Sequence, residues 1–146
     1  MLRNSGHGYF EPMASLGALN SKAAIGPRAL DVGDLDGDGD QDIVIVMAGD
    51  VPVVFRNDGT NRLTHDPQVD RLPQTFVVSP NDVELVDVDQ DGDLDVVLAA
   101  GQEGLGVFPA LQLLLNRGGG AFEDVTTSRL PPHHTGVKAL VVGDLD

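Results

Sequence analysis

Residues 34–42 read Asp-Leu-Asp-Gly-Asp-Gly-Asp-Gln-Asp, and residues 87–95 repeat the same design as Asp-Val-Asp-Gln-Asp-Gly-Asp-Leu-Asp. Both stretches fit the pattern Asp-x-Asp-x-Asp-Gly-x-x-Asp, and they begin 53 residues apart. A third copy starts at Asp144 and reaches Asp146, the last residue of the chain. Recurrence of a motif at a period of this size indicates a repeat architecture. Residues 34–42 and 87–95 are called the first and second acidic loops below.

A second sequence landmark recurs with a similar spacing. Residues 3–10 read Arg-Asn-Ser-Gly-His-Gly-Tyr-Phe, residues 55–60 read Phe-Arg-Asn-Asp-Gly-Thr, and residues 115–122 read Leu-Asn-Arg-Gly-Gly-Gly-Ala-Phe. Asn and Gly tolerate positive φ angles, so such clusters between apolar runs predict tight hairpin turns. The two landmarks alternate in a constant order, which indicates that the whole unit is repeated.

The second repeat contains four short apolar runs, at residues 83–86, 95–99, 112–115 and 121–125. Each run is too short for a helix, is rich in Val, Leu or Phe, and is bounded by turn residues, which is typical of β-strands. Four strands in roughly 55 residues match one blade of a β-propeller. The alternative is a generic β-sandwich with two similar hairpins, but the ordered recurrence of both landmarks favours the propeller.

We therefore predict an all-β chain, a fragment of one propeller built from four-stranded antiparallel blades. The predicted units are the tail of a preceding blade at residues 1–24, whole blades at 25–77 and 78–135, and the first strand of a further blade at 136–146. The rest of the propeller would lie outside this chain. Because a partial propeller leaves blade faces and strand edges uncovered, we expect it to be marginally stable or prone to aggregation.

The net charge, the lack of cysteine and the absence of long apolar runs exclude several kinds of partner and site. The formal net charge is −14 at pH 7, which repels phosphate backbones and anionic lipid surfaces, so we expect no nucleic-acid binding. The sequence has no cysteine, which excludes disulfides and thiolate metal sites. No apolar run approaches the roughly 20 residues of a transmembrane helix, so we expect no membrane insertion. The acidic residues are clustered, which favours bound cations over a merely soluble surface.

The acidic loops have the composition of a site for a hard divalent cation. Two like charges ~4 Å apart repel by about 1 kcal/mol in water and by about 4 kcal/mol at an effective dielectric of 20. A divalent cation reverses that sign, and a flexible, all-oxygen site with about 6–8 ligands favours Ca²⁺ over Mg²⁺. The predicted metal-binding residues are Asp34, Asp36, Asp38, Asp40 and Asp42 in the first loop, Asp87, Asp89, Asp91, Asp93 and Asp95 in the second, and Asp144 and Asp146 in the third copy. Asp40 and Asp93 would offer their backbone carbonyls.

Two other interpretations of the acidic loops are open. An EF-hand shares the Asp-x-Asp-x-Asp-Gly start but requires Glu at position twelve, where these loops have Ile45 and Leu98. The flanks of an EF-hand are also helices, whereas the flanks here have strand patterns. A solvated acidic turn without metal is the simpler interpretation, but two near-identical copies and a truncated third make it the less favoured one.

Together, the loops and turns resemble the FG-GAP/VCBS repeats of integrin α-subunit heads and many secreted bacterial proteins. The resemblance rests on residues 32–40 and 87–95 for the calcium loop and on residues 3–10 for the later half of the repeat. It covers nearly the whole chain and implies a seven- or eight-bladed propeller with Ca²⁺ in the hairpin loops between a blade's first two strands. Clear Phe-Gly and Gly-Ala-Pro signatures are absent, which favours the VCBS type over an integrin.

No catalytic motif stands out in the sequence. Gly-x-Ser-x-Gly is absent, and residues 101–106, with the spacing Gly-x-x-Gly-x-Gly, open no evident helix. We expect the pair His133-His134 in an exposed loop, because no second ligand cluster accompanies it, and no glycosidase-type carboxylate pair can be singled out. The longer connections at residues 61–74 and 100–109 are predicted to be irregular, with no assigned role.

The sequence thus predicts a calcium-binding propeller module that acts in adhesion or another protein or glycan interaction, with structural Ca²⁺ and no catalysis. We expect an extracellular, cell-surface or periplasmic location, because millimolar extracellular Ca²⁺ suits such loops. The first eight residues contain no apolar signal-peptide core, so a signal would stand further upstream. The alternative is a non-catalytic or scaffold part of a secreted carbohydrate-active enzyme, a lyase or hydrolase, since fold does not imply function.

Overall fold

The fold is given by a computed structural model of the chain. The described residues are 2–4, 9–12, 26–48, 51–60, 62–65, 72–73, 80–100, 110–131 and 136–143. They form two four-stranded antiparallel sheets, a two-stranded ribbon and one turn of helix, which confirms the predicted all-β class. Several features singled out in the sequence lie outside these residues, namely Asp144, Asp146, His133, His134 and residues 101–106.

The first described strands form a short hairpin. Strand β1 (Leu2–Asn4) pairs antiparallel with β2 (Phe10–Pro12), so that Asn4 lies opposite Phe10. The paired strands lie on either side of the predicted turn, whose residues 5–8 are outside the described part of the chain.

The first sheet follows the chain in simple order. Its strands are β3 (Pro27–Gly33), β4 (Asp42–Met47), β5 (Val53–Asn57) and β6 (Leu63–Thr64), and each pairs with the next in an antiparallel meander. The prediction of purely irregular structure at residues 61–74 is wrong at β6. Two residues are too few to show the alternation that marks a strand in sequence.

The second sheet repeats this meander. Its strands are β7 (Pro80–Val86), β8 (Asp95–Ala100), β9 (Leu111–Asn116) and β10 (Phe122–Asp124), followed by helix α1 (Thr126–Arg129). The four strands predicted in the second repeat are confirmed. Within the part of the chain that the structure describes, no helix has the length and apolar character that crossing a lipid bilayer requires.

An apolar cluster joins the two sheets into one core. Every member is at most 2% exposed, and the members are Leu35, Val44, Val46, Val54, Leu72, Val83, Val96, Leu98 and Leu114. Strands β4 and β8 are buried along most of their length, on both faces, which matches their near-continuous apolar sequences. Because burying one such side chain contributes about 1.5–3 kcal/mol, this shared core is the main attraction between the sheets.

The first strand of each sheet shows how the sheets face each other. Leu30 and Val83 occupy the same place in the repeat, since Leu30 pairs with Ile45 and Val83 pairs with Leu98. Val83 is 2% exposed because it packs into the shared core, whereas Leu30 is 52% exposed. On this face the first sheet leaves Leu30 of β3 exposed, although its partner Ile45 is buried, whereas the second sheet buries the equivalent Val83 against its neighbour.

Polar contacts also link the first strands of successive units. The Oδ2 of Asp31 in β3 accepts the backbone N–H of Leu85 in β7 at 2.7 Å, and the Oδ2 of Asp82 accepts that of Leu140 at 2.8 Å. Leu140 belongs to residues 136–143, which are described without a strand. The first strand predicted at residues 136–146 stays a prediction.

A glycine at the end of β3 lies against leucine side chains of the second sheet. A Cβ added at Gly33 would overlap the Cδ1 of Leu94 and lie 3.2 Å from the Cδ1 of Leu85. We expect Gly33→Val to lower the free energy of unfolding by roughly 1–3 kcal/mol, the usual effect of overpacking. Urea unfolding at a fixed calcium concentration measures the change.

The third copy of the motif supplies the control for this substitution. Gly143 occupies the place of Gly33, and a Cβ there would meet no atom of the described residues within 4 Å. Gly143→Val should therefore change the free energy of unfolding by no more than about 0.5 kcal/mol. Equal losses in the two variants would contradict a sheet contact at Gly33.

A partly buried carboxylate at the sheet boundary makes stability depend on pH. Burial raises the pKa of Glu84 above its ordinary range, and the charges of Asp31 and Asp82 raise it further. The ionised Glu84 therefore destabilises the fold at neutral pH, and this effect fades as pH falls and the carboxyl is protonated in both folded and unfolded states.

We expect Glu84→Gln to raise the melting temperature at neutral pH. In acid, the difference in melting temperature between the variant and the parent chain should disappear. Thermal melts of the variant and the parent chain at a series of pH values measure the difference, and effects common to both chains cancel in it. A difference that does not change with pH would contradict the assignment to Glu84 ionisation.

Candidate metal centre

Each acidic loop connects the first two strands of a sheet. The first loop lies between β3 and β4, and the second lies between β7 and β8. Gly39 (φ 94°) and Gly92 (φ 98°), at the sixth position, have the positive φ that the tight backbone reversal requires. At the fourth position, Gly37 (φ 79°) is matched by Gln90 (φ 61°), so both loops follow the same path with different residues.

Three carboxylates in each loop converge on one centre. Oxygens of Asp34, Asp36 and Asp42 lie within 4.8 Å of one another, and so do oxygens of Asp87, Asp89 and Asp95. We call these sets the first and second triads. They correspond to positions one, three and nine of the motif.

The carboxylate at position one shapes the loop. Asp34 accepts the N–H of Gly37 through Oδ1 at 2.8 Å and that of Gly39 through Oδ2 at 2.9 Å. Asp87 accepts the N–H groups of Asp91 and Gly92 at 3.1 and 3.0 Å. These bonds leave further acceptor capacity on both oxygens of each carboxylate, since each oxygen has two lone pairs.

The carboxylate at position nine ties the first loop to the third strand of its sheet. Asp42 is fully buried and accepts the N–H of Leu35 through Oδ2 at 3.0 Å and that of Asn57, the last residue of β5, through Oδ1 at 2.9 Å. Burial raises the pKa of Asp42, which the hydrogen bonds partly offset.

The second loop has the same arrangement. Asp95 is fully buried and accepts the N–H of Val88 at 2.9 Å and that of Asn116, the last residue of β9, at 2.8 Å. Burial raises the pKa of Asp95, and the negative charges of Asp89 and Asp91 add to that increase.

Arginine side chains contact the two triads unequally. Nη1 of Arg56 lies 3.0 Å from Asp36 and 3.8 Å from Asp42, and the Arg56 side chain is 15% exposed. Nη1 of Arg117 lies 3.7 Å from Asp89, but this side chain is 44% exposed and also pairs with Glu123. Within the described residues, the second triad is therefore the less neutralised.

The chemistry of the triads fits a hard divalent cation. All converging groups are carboxylate oxygens, the preferred ligands of Ca²⁺ and Mg²⁺. The Oδ1 of Asp89 is buried and receives no hydrogen bond from the described part of the chain. A buried polar oxygen without a partner is unfavourable, and a cation at the triad would satisfy it.

The other predicted ligands are placed differently. Asp38 and Asp91 each accept the N–H two residues on, that of Asp40 at 2.9 Å and that of Asp93 at 3.0 Å, and their carboxylates lie outside the triads. The carboxylate of Asp40 faces the turn after β5, where a Cβ on Gly59 would lie 2.5 Å from its Oδ2. Asp144 and Asp146 lie outside the described residues.

Comparison with known families adds an independent finding. A family model for the FG-GAP-like repeat matches residues 34–98 and again residues 87–146, which together make up more than half of the chain. The chain belongs to the FG-GAP-like repeat family. The resemblance inferred from the loops is therefore confirmed at the level of the family.

Membership of the FG-GAP-like repeat family sets the context of the sheets. FG-GAP repeats imply propeller blades, so the two four-stranded sheets belong to a propeller that this chain does not close. Such repeats typically occur in extracellular proteins. Neither the curated proteins nor the solved structures gave a match to the chain.

Sequence reasoning about these FG-GAP-like repeats missed the residues that support the triads. Asn57 and Asn116 were predicted only as turn residues, yet their backbone N–H groups hold the position-nine carboxylates. Their recurrence at the end of the third run in both repeats is the signal that could have indicated a shared role. Arg56 and Arg117 stand on opposite sides of that asparagine, so they carry no common pattern.

We expect Asp42→Ala to destabilise the calcium-free chain by about 2–4 kcal/mol, because the buried N–H of Leu35 and the partly buried N–H of Asn57 would lose their acceptor. Asp38→Ala is the control, since exposed Asp38 accepts one exposed N–H, and it should cost less than about 1 kcal/mol. Urea unfolding in EDTA measures both. Similar losses would contradict the scaffold role of position nine.

Proposed function

We propose that the chain is a calcium-binding β-propeller module in which Ca²⁺ is structural. The observation that carries the proposal is the pair of triads, each with three carboxylate oxygens within 4.8 Å of one another at the same place in two sheets. Two unit negative charges ~4 Å apart repel by about 4 kcal/mol at an effective dielectric of 20, and a divalent cation between them would replace that repulsion by attraction.

Several features favour Ca²⁺ over other cations. The donors are all oxygens, which disfavours zinc and copper, and the loops are glycine-containing and partly exposed. Ca²⁺ tolerates flexible coordination by six to eight oxygens, whereas Mg²⁺ demands near-ideal octahedral geometry. Asp34 and Asp36, with Asp87 and Asp89, would supply side-chain ligands, and the position-nine carboxylates would complete each site.

A structural role for the ion follows from what the triads connect. Asp42 and Asp95 hold N–H groups of their own loop and of the third strand in the same sheet. A cation bound to these carboxylates would therefore stabilise the link between the first three strands. Because the ion binds the folded loop, saturation at about 100 times Kd would add roughly 2.7 kcal/mol per site.

We propose that the module acts outside the cytosol, in adhesion or another interaction with a protein or glycan. The usual extracellular occurrence of FG-GAP repeats supports this location, as does the need of such loops for abundant Ca²⁺. The net charge of −14 supports a partner other than nucleic acid. Loops at the ends of the blades would form the contact surface, with calcium keeping them rigid.

The 146-residue chain should bind two Ca²⁺ ions, one at each triad. Calorimetric titration gives the stoichiometry, and chelation by EDTA should lower the melting temperature. Asp36→Ala and Asp89→Ala should each remove one ion, because each takes away a side-chain ligand of a different triad.

Asp58→Ala provides the control for this experiment. Asp58 is an exposed carboxylate outside both triads that bonds Thr60, so its loss should leave two ions bound. Melting curves that EDTA does not change, or a stoichiometry that neither triad variant alters, would overturn the proposal.

A further inference from the structure

One buried side chain contacts both acidic loops. Asn116 is 1% exposed, and its Nδ2 donates to the backbone carbonyl of Leu35 in the first loop at 2.8 Å. Its backbone N–H donates to Oδ1 of Asp95 in the second triad, also at 2.8 Å. Asn116 therefore lies between position two of the first loop and position nine of the second.

The rest of the Asn116 side chain is also bonded. Nδ2 makes a second bond of 3.2 Å to the carbonyl of Leu94, and Oδ1 accepts the N–H of Gly118 at 3.1 Å. The amide is therefore oriented by three different backbone groups. A shift of the Leu35 carbonyl would change the geometry of an asparagine whose own backbone holds Asp95.

Two further contacts cross the same boundary. Leu35 belongs to the core cluster that joins both sheets. The guanidinium of Arg56, which pairs with Asp36, lies against the turn of the second sheet, where a Cβ added at Gly120 would overlap it. The first loop is therefore packed on the second sheet as well as on its own.

The first sheet contains a matched residue without this cross-contact. Asn57 occupies the place of Asn116, since its backbone N–H holds Asp42 and its Oδ1 accepts the N–H of Gly59 at 3.2 Å. Among the described residues, its side chain makes no hydrogen bond to another sheet. Asn57 thus shares the local role of Asn116 but not its position between two loops.

We propose that Asn116 couples the two acidic loops, so that a cation bound at either one raises the affinity of the other. The coupling rests on the proposed calcium function. Without a cation, repulsion among Asp34, Asp36 and Asp42 favours an opened first loop, and the Leu35 carbonyl loses its fixed position. Closing that loop orients Asn116, which holds Asp95 ready for the second cation. By linkage the effect is reciprocal.

The coupling is measured by calcium titration of the full chain and its single-site variants. The product of the two stepwise association constants of the unmodified chain is compared with the product of the single-site constants of the Asp36→Ala and Asp89→Ala chains. We expect the unmodified chain to exceed the uncoupled product by about fivefold or more, at the lower end of typical allosteric coupling.

The same comparison in an Asn116→Ala background isolates the residue. The ratio of the stepwise product to the product of the single-site constants should fall to about one in that background. In an Asn57→Ala background the ratio should stay at about five or more. A ratio of one in the unmodified chain, or a ratio that survives Asn116→Ala, would overturn the proposal. If the unmodified chain binds no calcium at all, the proposed function is refuted. That result differs from calcium binding without coupling, which refutes only the role of Asn116.

Amide hydrogen exchange tests the coupling without altering Asn116, in case that variant does not fold. In the Asp89→Ala chain, where only the first triad can load, calcium should slow exchange at the Asn116 and Val88 amides that bond Asp95. The Thr126 amide, which bonds Asp124 elsewhere in the second sheet, is the internal control. Unchanged exchange at Asn116 and Val88 on loading the first triad would overturn the coupling.

Discussion

In each sheet, the fully buried carboxylate at position nine accepts the hydrogen bonds that join the acidic loop to the third strand. Asp42 and Asp95 each accept one N–H from their own loop and one from the last residue of the third strand. A neutral side chain of this size would accept the two N–H groups in weaker hydrogen bonds than a carboxylate does. Burying an ionised carboxylate is nevertheless unfavourable unless it is compensated, as the raised pKa values of Asp42 and Asp95 indicate. The other carboxylates of the loop add further negative charge, and a cation bound at the triad, as proposed above, would offset it.

The same geometry makes the loops part of the boundary between sheets. Leu35 packs in the shared core, Gly33 lies against Leu94, and Asn116 reaches back to the Leu35 carbonyl. In repeat proteins, stability is approximately a sum of terms within units and between nearest neighbours. Here the first acidic loop contributes both to the stability of its own sheet and to the contact with the next sheet. A change in this loop therefore affects both sheets.

The sequence alone predicted the repeat and most of the strands, because both are encoded in short recurring patterns. The spacing of Asp34 and Asp87 indicated the repeat, and Val- and Leu-rich runs located the strands around it. The sequence did not reveal that the Asp38 carboxylate would accept the N–H of Asp40 while Asp42 joined the triad, because the two positions are equally acidic in the pattern. The position of Asn116 between two loops was also hidden, since that contact joins residues 81 positions apart.

Identical motifs need not make identical sites, and the arginines show why. Arg56 is largely buried at 3.0 Å from Asp36, so a cation in the first loop would share that carboxylate with a fixed positive charge. Arg117 is more exposed and divides its charge between Asp89 and Glu123. Exposed pairs are weak and screened by salt, whereas partly buried ones are screened much less. The two loops therefore present equal numbers of acids but different fields, and residues outside the motif set that difference.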